Sequence, residues 1–124
     1  MRRLTPVELG SYDHVPPEVA ARALVQRVPV LPPGSDGMTL GRLVLVKRDG
    51  MADRTGRRRL LAHELVHVRQ FAEKGRARFL ARYLSDYVRN LARLHRHREA
   101  YLAIPYEVEA RAGADDWQRA RDEG

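Results

Sequence analysis

Apolar residues fall at helical spacing through the second half of the chain. Leu60, Leu61, Leu65, Val68 and Phe71 alternate with polar residues from about Arg58 until Gly75, which predicts one amphipathic helix. A second helix is predicted from Arg76 to about Leu94, with Phe79, Leu80, Tyr83, Leu84, Tyr87, Val88 and Leu91 on its apolar stripe and Arg78, Arg82, Arg89 and Arg93 off it. A third starts near Pro105 and carries Tyr106, Val108, Ala110, Ala112 and Trp117, and the last residues, 115–124, are expected to fray. Upstream, Pro16-Pro17-Glu18 resembles a helix start, and Val19, Ala20, Ala23, Leu24 and Val28 give a short stripe that Pro29 stops. Turn chemistry fills residues 30–37. Met38 to Lys47, rich in β-branched and apolar residues and closed by Asp49-Gly50, reads as one strand, with Gly41 marking a bulge or a close approach by another backbone. Residues 50–57 read as a loop, and residues 1–15, which show no period, as an N-terminal arm. This order predicts an α+β fold: a short antiparallel sheet packed on the first long helix, with the two later helices completing the core.

Length bounds the picture to one domain, since 124 residues fit a single core. The chain has no cysteine, which excludes disulfides and thiolate metal ligands, so any metal must be held by nitrogen and oxygen. No apolar run follows the basic Met1-Arg2-Arg3, so no secretory signal is read and a cytoplasmic location is expected. Arg78, Arg82, Asp86 and Arg89 interrupt the best candidate for a membrane span. The net charge of +7 rests almost wholly on arginine, with Lys47 and Lys74 the only lysines. Arg54, Arg57, Arg58 and Arg59 cluster before the first long helix, but no aromatic interleaving or helix-turn-helix spacing accompanies them. A soluble basic surface is therefore expected rather than a nucleic-acid partner.

Chemistry concentrates in Leu61-Ala62-His63-Glu64-Leu65-Val66-His67. On a helix, positions i and i+4 share a face, so His63 and His67 can offer two imidazoles to one cation with Glu64 beside them. Zinc accepts two histidines and a carboxylate and keeps a fourth position for water. A carboxylate that is not a ligand can then take the proton of that water, which makes Glu64 the candidate general base. A third ligand should come from downstream. Glu73 lies two turns on and points away, and Asp86 falls among apolar residues, which leaves Glu107 and Glu109. These two acids are about 200° apart around a helix, so both cannot face one metal.

His-Glu-Leu-Val-His followed by Val-Arg-Gln, a long helix and Pro-Tyr-Glu-Val-Glu-Ala resembles the small single-domain gluzincins, or minigluzincins, over roughly residues 38–114. The resemblance implies a zinc-dependent metallopeptidase acting on peptide or protein substrates, with His63 and His67 as ligands and Glu64 as general base. Many gluzincins, the CAAX prenyl proteases among them, take the third ligand from Glu-x-x-Ala-Asp, a frame that fits Glu107 with Ala110, although Arg111 stands where the acid would be. A thermolysin-like Glu-Ala frame would select Glu109 instead; the resemblance favours Glu107. In this group the strand before the metal helix borders the cleft and pairs with extended substrate, a place that Met38 to Val46 would fill.

The hydrolysis implied needs a donor for the oxyanion, and Tyr101, Tyr106, His95 and His97 are the candidates by position. His95-Arg96-His97-Arg98 reads as a solvated helix end, and His14 has no assignable role. Two other function classes remain: a latent or degenerate zincin whose own terminal segment, 1–15 or 115–124, fills the cleft, and a basic binding module carrying HExxH by accident.

Overall fold

The computed structural model describes residues 1–48 and 54–123. The expected Asp49-Gly50 strand end and the first part of the 50–57 loop lie outside them. The elements run β1 (Arg2–Arg3), α1 (Pro6–Ser11), α2 (Pro17–Arg22), β2 (Leu24–Val28), β3 (Gly37–Leu40), β4 (Leu43–Lys47), α3 (Arg54–Lys74), α4 (Arg76–Leu94), α5 (His97–Leu102) and α6 (Pro105–Glu123). The fold is α+β. Its sheet is mixed where an antiparallel one was expected: the order is β1-β2-β4-β3, with β2 and β4 parallel and the outer pairs antiparallel.

Five local readings change. The arm is ordered by a capping box, in which Thr5 Oγ1 accepts from the Glu8 amide at 3.1 Å and Glu8 Oε1 accepts from the Thr5 amide at 2.8 Å. The helix begun at Pro17 stops at Arg22, because Ala23 is extended (φ −63°, ψ 137°) and turns the chain into β2. The single strand over 38–47 is a hairpin: Gly41-Arg42 joins the paired Leu40 and Leu43, and Gly41 takes a φ of 66° that only glycine adopts without strain. Helix α3 starts at Arg54, four residues before the apolar period becomes visible. At the other end α6 continues to Glu123 instead of fraying at 115, since Trp117 is buried and its indole N–H donates to the Ser11 carbonyl at 2.8 Å.

Helix α3 is the centre of the molecule. Its Leu61, Ala62, Leu65, Val66 and Val68 are buried against Val25 and Val44 of the sheet on one side and Ala110, Ala114 and Trp117 of α6 on the other. α6 approaches closely because its inner face is small: a Cβ on Gly113 would lie 2.9 Å from Val66 Cγ2. That approach brings the first turn of α6 over His63 and His67.

His14, which the sequence left without a role, fastens the lead-in to α3. A carbonyl can only accept, so the 2.8 Å contact between Nε2 and the Ala62 oxygen places the proton on Nε2. Burial lowers the His14 pKa, partly opposed by that hydrogen bond. A lowered folded value means the unfolded chain takes up the proton first as pH falls. The stability tied to neutral His14 is complete above the ordinary histidine value near 6.5 and declines below it. Urea midpoints should therefore drop more between pH 7 and pH 5 in the wild-type chain than in His14→Gln; equal drops would show that His14 does not contribute.

Candidate metal centre

One turn of α3 presents His63 and His67 on the same side, and the first turn of α6 brings Glu107 between them. The Nε2 atoms of both histidines lie 3.1 Å from the same Glu107 oxygen, Oε1, and the three donor atoms fall within 4.8 Å of one another. Four donors about 2.0–2.1 Å from a tetrahedral zinc stand roughly 3.3 Å apart, so the two distances from the histidines to Glu107 are close to the spacing that such a cation requires. His67 and Glu107 are buried and His63 is half-buried.

Hydrogen-bond direction fixes which lone pair His67 offers. Gln70 donates its side-chain N–H groups to the Tyr106 carbonyl at 3.1 Å and to Glu109 Oε1 at 2.9 Å. Neither acceptor can donate, so the Gln70 carbonyl oxygen is the atom that faces His67 Nδ1, at 2.7 Å. Nδ1 therefore carries the proton, and the Nε2 of a neutral His67 turns a lone pair toward Glu107. A lone pair facing a carboxylate oxygen needs a proton or a cation between them. The donor set thus fits a metal ion on chemical grounds as well as on spacing.

Glu109 lies outside the cluster of His63, His67 and Glu107. It is exposed, pairs with Arg69, and acts on the cluster through Gln70. Glu107, the acid of the Glu-x-x-Ala frame, is the one beside the two histidines, with Ala110 fully buried one turn on. Instead of an acid at Arg111, the outer support comes from Gln70 backed by Glu109, while Arg111 donates to the Leu102 carbonyl. Losing an outer partner of a metal-bound histidine costs about 10–100-fold in affinity. Gln70→Leu should show a loss of this size in a competitive zinc titration, and unchanged affinity would remove Gln70 from the support of His67.

The second Glu107 oxygen accepts from the Tyr83 hydroxyl at 2.7 Å. Burial pushes the Glu107 pKa up, but its contacts with His63, His67 and Tyr83 outweigh that and hold it well below the usual carboxylate range. Burial and the neighbouring Glu107 charge raise the Tyr83 hydroxyl, which stays a donor. In His67, burial works against the charged form, but the Glu107 carboxylate more than offsets it and the net shift is upward.

Glu64 is buried beside this cluster, held by β3. The Thr39 hydroxyl donates to Glu64 Oε1 at 2.9 Å. The strand comes this near because Gly37 has no side chain: a Cβ there would meet Glu64 Cγ at 3.2 Å and Leu60 Cδ1 at 3.1 Å. Burial raises the Glu64 pKa, and His67, His63 and the Thr39 hydroxyl offset it only in part.

A cleft of about 220 Å³ opens over Glu64, His67 and Glu107, walled by Gly37, Met38, Thr39 and Leu40 on one side and Leu80, Tyr83, Leu84 and Tyr101 on the other. The wall strand is β3, at the edge of the sheet; β4, which the sequence included in the cleft border, is interior. Lys47 donates its amide to the Asp36 carbonyl at 2.8 Å, and antiparallel pairs alternate, so the backbone groups of Gly37 and Thr39 point to the open edge. None of the lining residues comes from 1–15 or 115–123, the segments considered as cleft fillers. Those segments are fastened to each other on another face by the Tyr12–Trp117 stack, with ring centroids 5.0 Å apart, and by Arg121 on Asp13.

Of the four oxyanion candidates only Tyr101 lines the cleft, its hydroxyl pKa raised by burial and by the Glu107 charge. Tyr106 stacks on Phe79, His95 caps α4 in a left-handed conformation, and His97 pairs with the Tyr87 hydroxyl. Three residues of the site, Thr39, Gln70 and Tyr83, were assigned no chemistry from the sequence.

No helix among the described residues is long and apolar enough to cross a membrane. No curated protein and no solved structure matches the chain. Residues 31–75 match the family model of the eCIS core domain, a stretch that spans β3, β4 and α3 and includes His63, Glu64, His67 and Gln70 but ends before Tyr83 and Glu107.

Proposed function

We propose that the chain is a zinc-dependent metallopeptidase of the gluzincin type. The observation that carries this reading is the convergence of His63, His67 and Glu107 on one point, with the buried carboxylate of Glu64 beside it, in a cleft bordered by a free strand edge. Zinc bound there would polarise a peptide carbonyl and lower the pKa of a water molecule. Glu64 accepts the proton of that water on its carboxylate and returns it to the leaving nitrogen, with the Thr39 hydroxyl fixing its orientation. Tyr101, which lines the cleft beside Glu107, would turn its hydroxyl from that carboxylate to the carbonyl oxygen as the latter gains charge. The open backbone groups of Gly37 and Thr39 give an extended substrate partners for its own N–H and C=O groups.

The test is elemental analysis of the purified chain joined to a mass-spectrometric screen of a mixed peptide library. The expected result is one zinc per chain and cleavage that stops on chelation and returns with added zinc. A chain that takes up no zinc, or cleavage indifferent to chelation, would overturn the reading.

A further inference from the structure

The arginines that precede the apolar period of α3 do not all face open solvent. Arg59 pairs with Asp115, but Arg57 and Arg58 line a cavity of about 560 Å³. It lies between the amino end of α3 and the carboxyl ends of β2 and β4, which finish on the same side because the two strands are parallel. Arg27 stands two residues beyond the buried Val25, on the sheet face that α3 covers, and Lys47 and Arg48 follow at the end of β4. Arg2 of β1 completes the set. The cavity shares no lining residue with the metal cleft.

Six basic side chains thus line one concavity, and among the described residues the one acid there is Glu8. Glu8 is already engaged: its two oxygens accept from Arg2 at 2.6 and 3.0 Å, and one accepts from the Thr5 amide as well. The side chains of Arg27, Lys47 and Arg48 are exposed and make no hydrogen bond or ion pair among the described residues. Arg58 lies over the Trp117 ring and donates to the Ser11 hydroxyl, neither of which neutralises it. The first turn of α3 carries no acid, so the positive end of the helix dipole adds to the same sign. Like charges gathered this way repel one another in the folded chain, and a bound anion relieves the repulsion.

Size and lining narrow the anion. The volume falls in the range of small-molecule sites, about 300–1,000 Å³. A carboxylate brings one charge, whereas each phosphoryl group brings up to about two and three acceptor oxygens. Guanidinium forks meet those oxygens in pairs. The cavity also has an apolar floor, in which Tyr12, Val25 and Leu61 are buried, with room for an organic substituent. We propose that this cavity is a binding site for a small anion carrying two or more phosphoryl groups, held by Arg27, Lys47, Arg48 and Arg57. The site stands apart from the peptidase reading and does not depend on it.

The test is calorimetric titration of the full chain with inorganic triphosphate and with citrate. Triphosphate should bind at one site per chain, at least about tenfold tighter than citrate, and more weakly as salt rises. Arg27→Glu and Arg48→Glu should each weaken it about tenfold or more, with Arg27→Gln between Arg27→Glu and the wild-type chain. Arg93→Glu, the same change of net charge at an exposed position of α4, should change it less than about twofold. Zinc-loaded and chelator-treated chains should bind alike. Adenosine triphosphate and vesicles of phosphatidylcholine with phosphatidylinositol bisphosphate then tell a nucleotide from a lipid headgroup: the one bound more tightly than inorganic triphosphate is the source, and a gain for neither names the inorganic anion. Absence of saturable triphosphate binding, citrate bound as tightly, or an equal loss in Arg93→Glu overturns the proposal. So does triphosphate binding that requires zinc, which assigns it to the metal centre, or Arg27-dependent binding of a ten-nucleotide RNA by a chain that ignores triphosphate.

Discussion

Replacing His63, His67 or Glu107 with alanine is expected to abolish stoichiometric zinc, while Glu109→Ala is expected to leave it bound with weakened affinity. The contrast follows from where the two acids sit. Glu107 is buried with Oε1 3.1 Å from both imidazoles, so its removal takes away one of three donors. Glu109 is exposed, and among the described residues its hydrogen bonds and ion pair are with Gln70 and Arg69. Its loss frees the Gln70 amide to turn over, and with it the Nδ1 proton of His67, an effect in the range of about 10–100-fold. The ligand variants should lose more than that. Elemental analysis after dialysis against a weak chelator reads both classes. Full zinc retention in His63→Ala and His67→Ala would end the metal assignment, and retention in Glu107→Ala with loss in Glu109→Ala would move the third ligand to Glu109.

The parts of this site that the residues alone made legible are those whose geometry is local, whereas Glu107, 40 residues beyond His67, was favoured over Glu109 only through the resemblance. HExxH works because the i, i+4 relation is fixed by the helix itself, whatever surrounds it. Gln70 was equally local, three residues beyond His67, but nothing in the sequence says that its amide will be oriented by Tyr106 and Glu109 from another helix. Thr39 and Tyr83 acquire their roles only through tertiary approach. Tyr83 stood in an apolar stripe, and such a stripe does not distinguish a cleft wall from a core. The same ambiguity explains α4, whose bounds followed from periodicity and whose outward-facing leucines did not. Among the elements, β2 was hidden because Val19 to Val28 satisfies a helical period, although Val25 and Val28 are β-branched and Pro29 follows. By contrast α1 was announced by Thr5-Pro6-Val7-Glu8, a capping-box signature in what read as an irregular arm. The parallel pairing of β2 with β4 depends on the 29–36 connection carrying β3 past β4 to the edge, a topological choice that strand patterns do not encode.

Glu64→Gln should keep the zinc and reduce cleavage by about 10²–10⁴-fold, the usual contribution of a positioned general base. The side chain is 5% exposed and hemmed by Gly37, Leu60 and Thr39, so an amide of the same shape is the change least disturbing to the packing. Its oxygen can still accept from the Thr39 hydroxyl, but it has no basicity with which to take a proton from water. Thr39→Val tests the same carboxylate from its other side. The Thr39 hydrogen bond lowers the Glu64 pKa against the upward push of burial, so removing it should raise that pKa further. A base with a raised pKa is still protonated at pH values where the wild-type group is free. The acid limb of the kcat/KM profile should therefore move to higher pH in Thr39→Val, with zinc content unchanged. A Glu64→Gln chain that holds zinc and cleaves at the wild-type rate would take Glu64 out of the mechanism, and an acid limb that stays in place in Thr39→Val would assign it to another group.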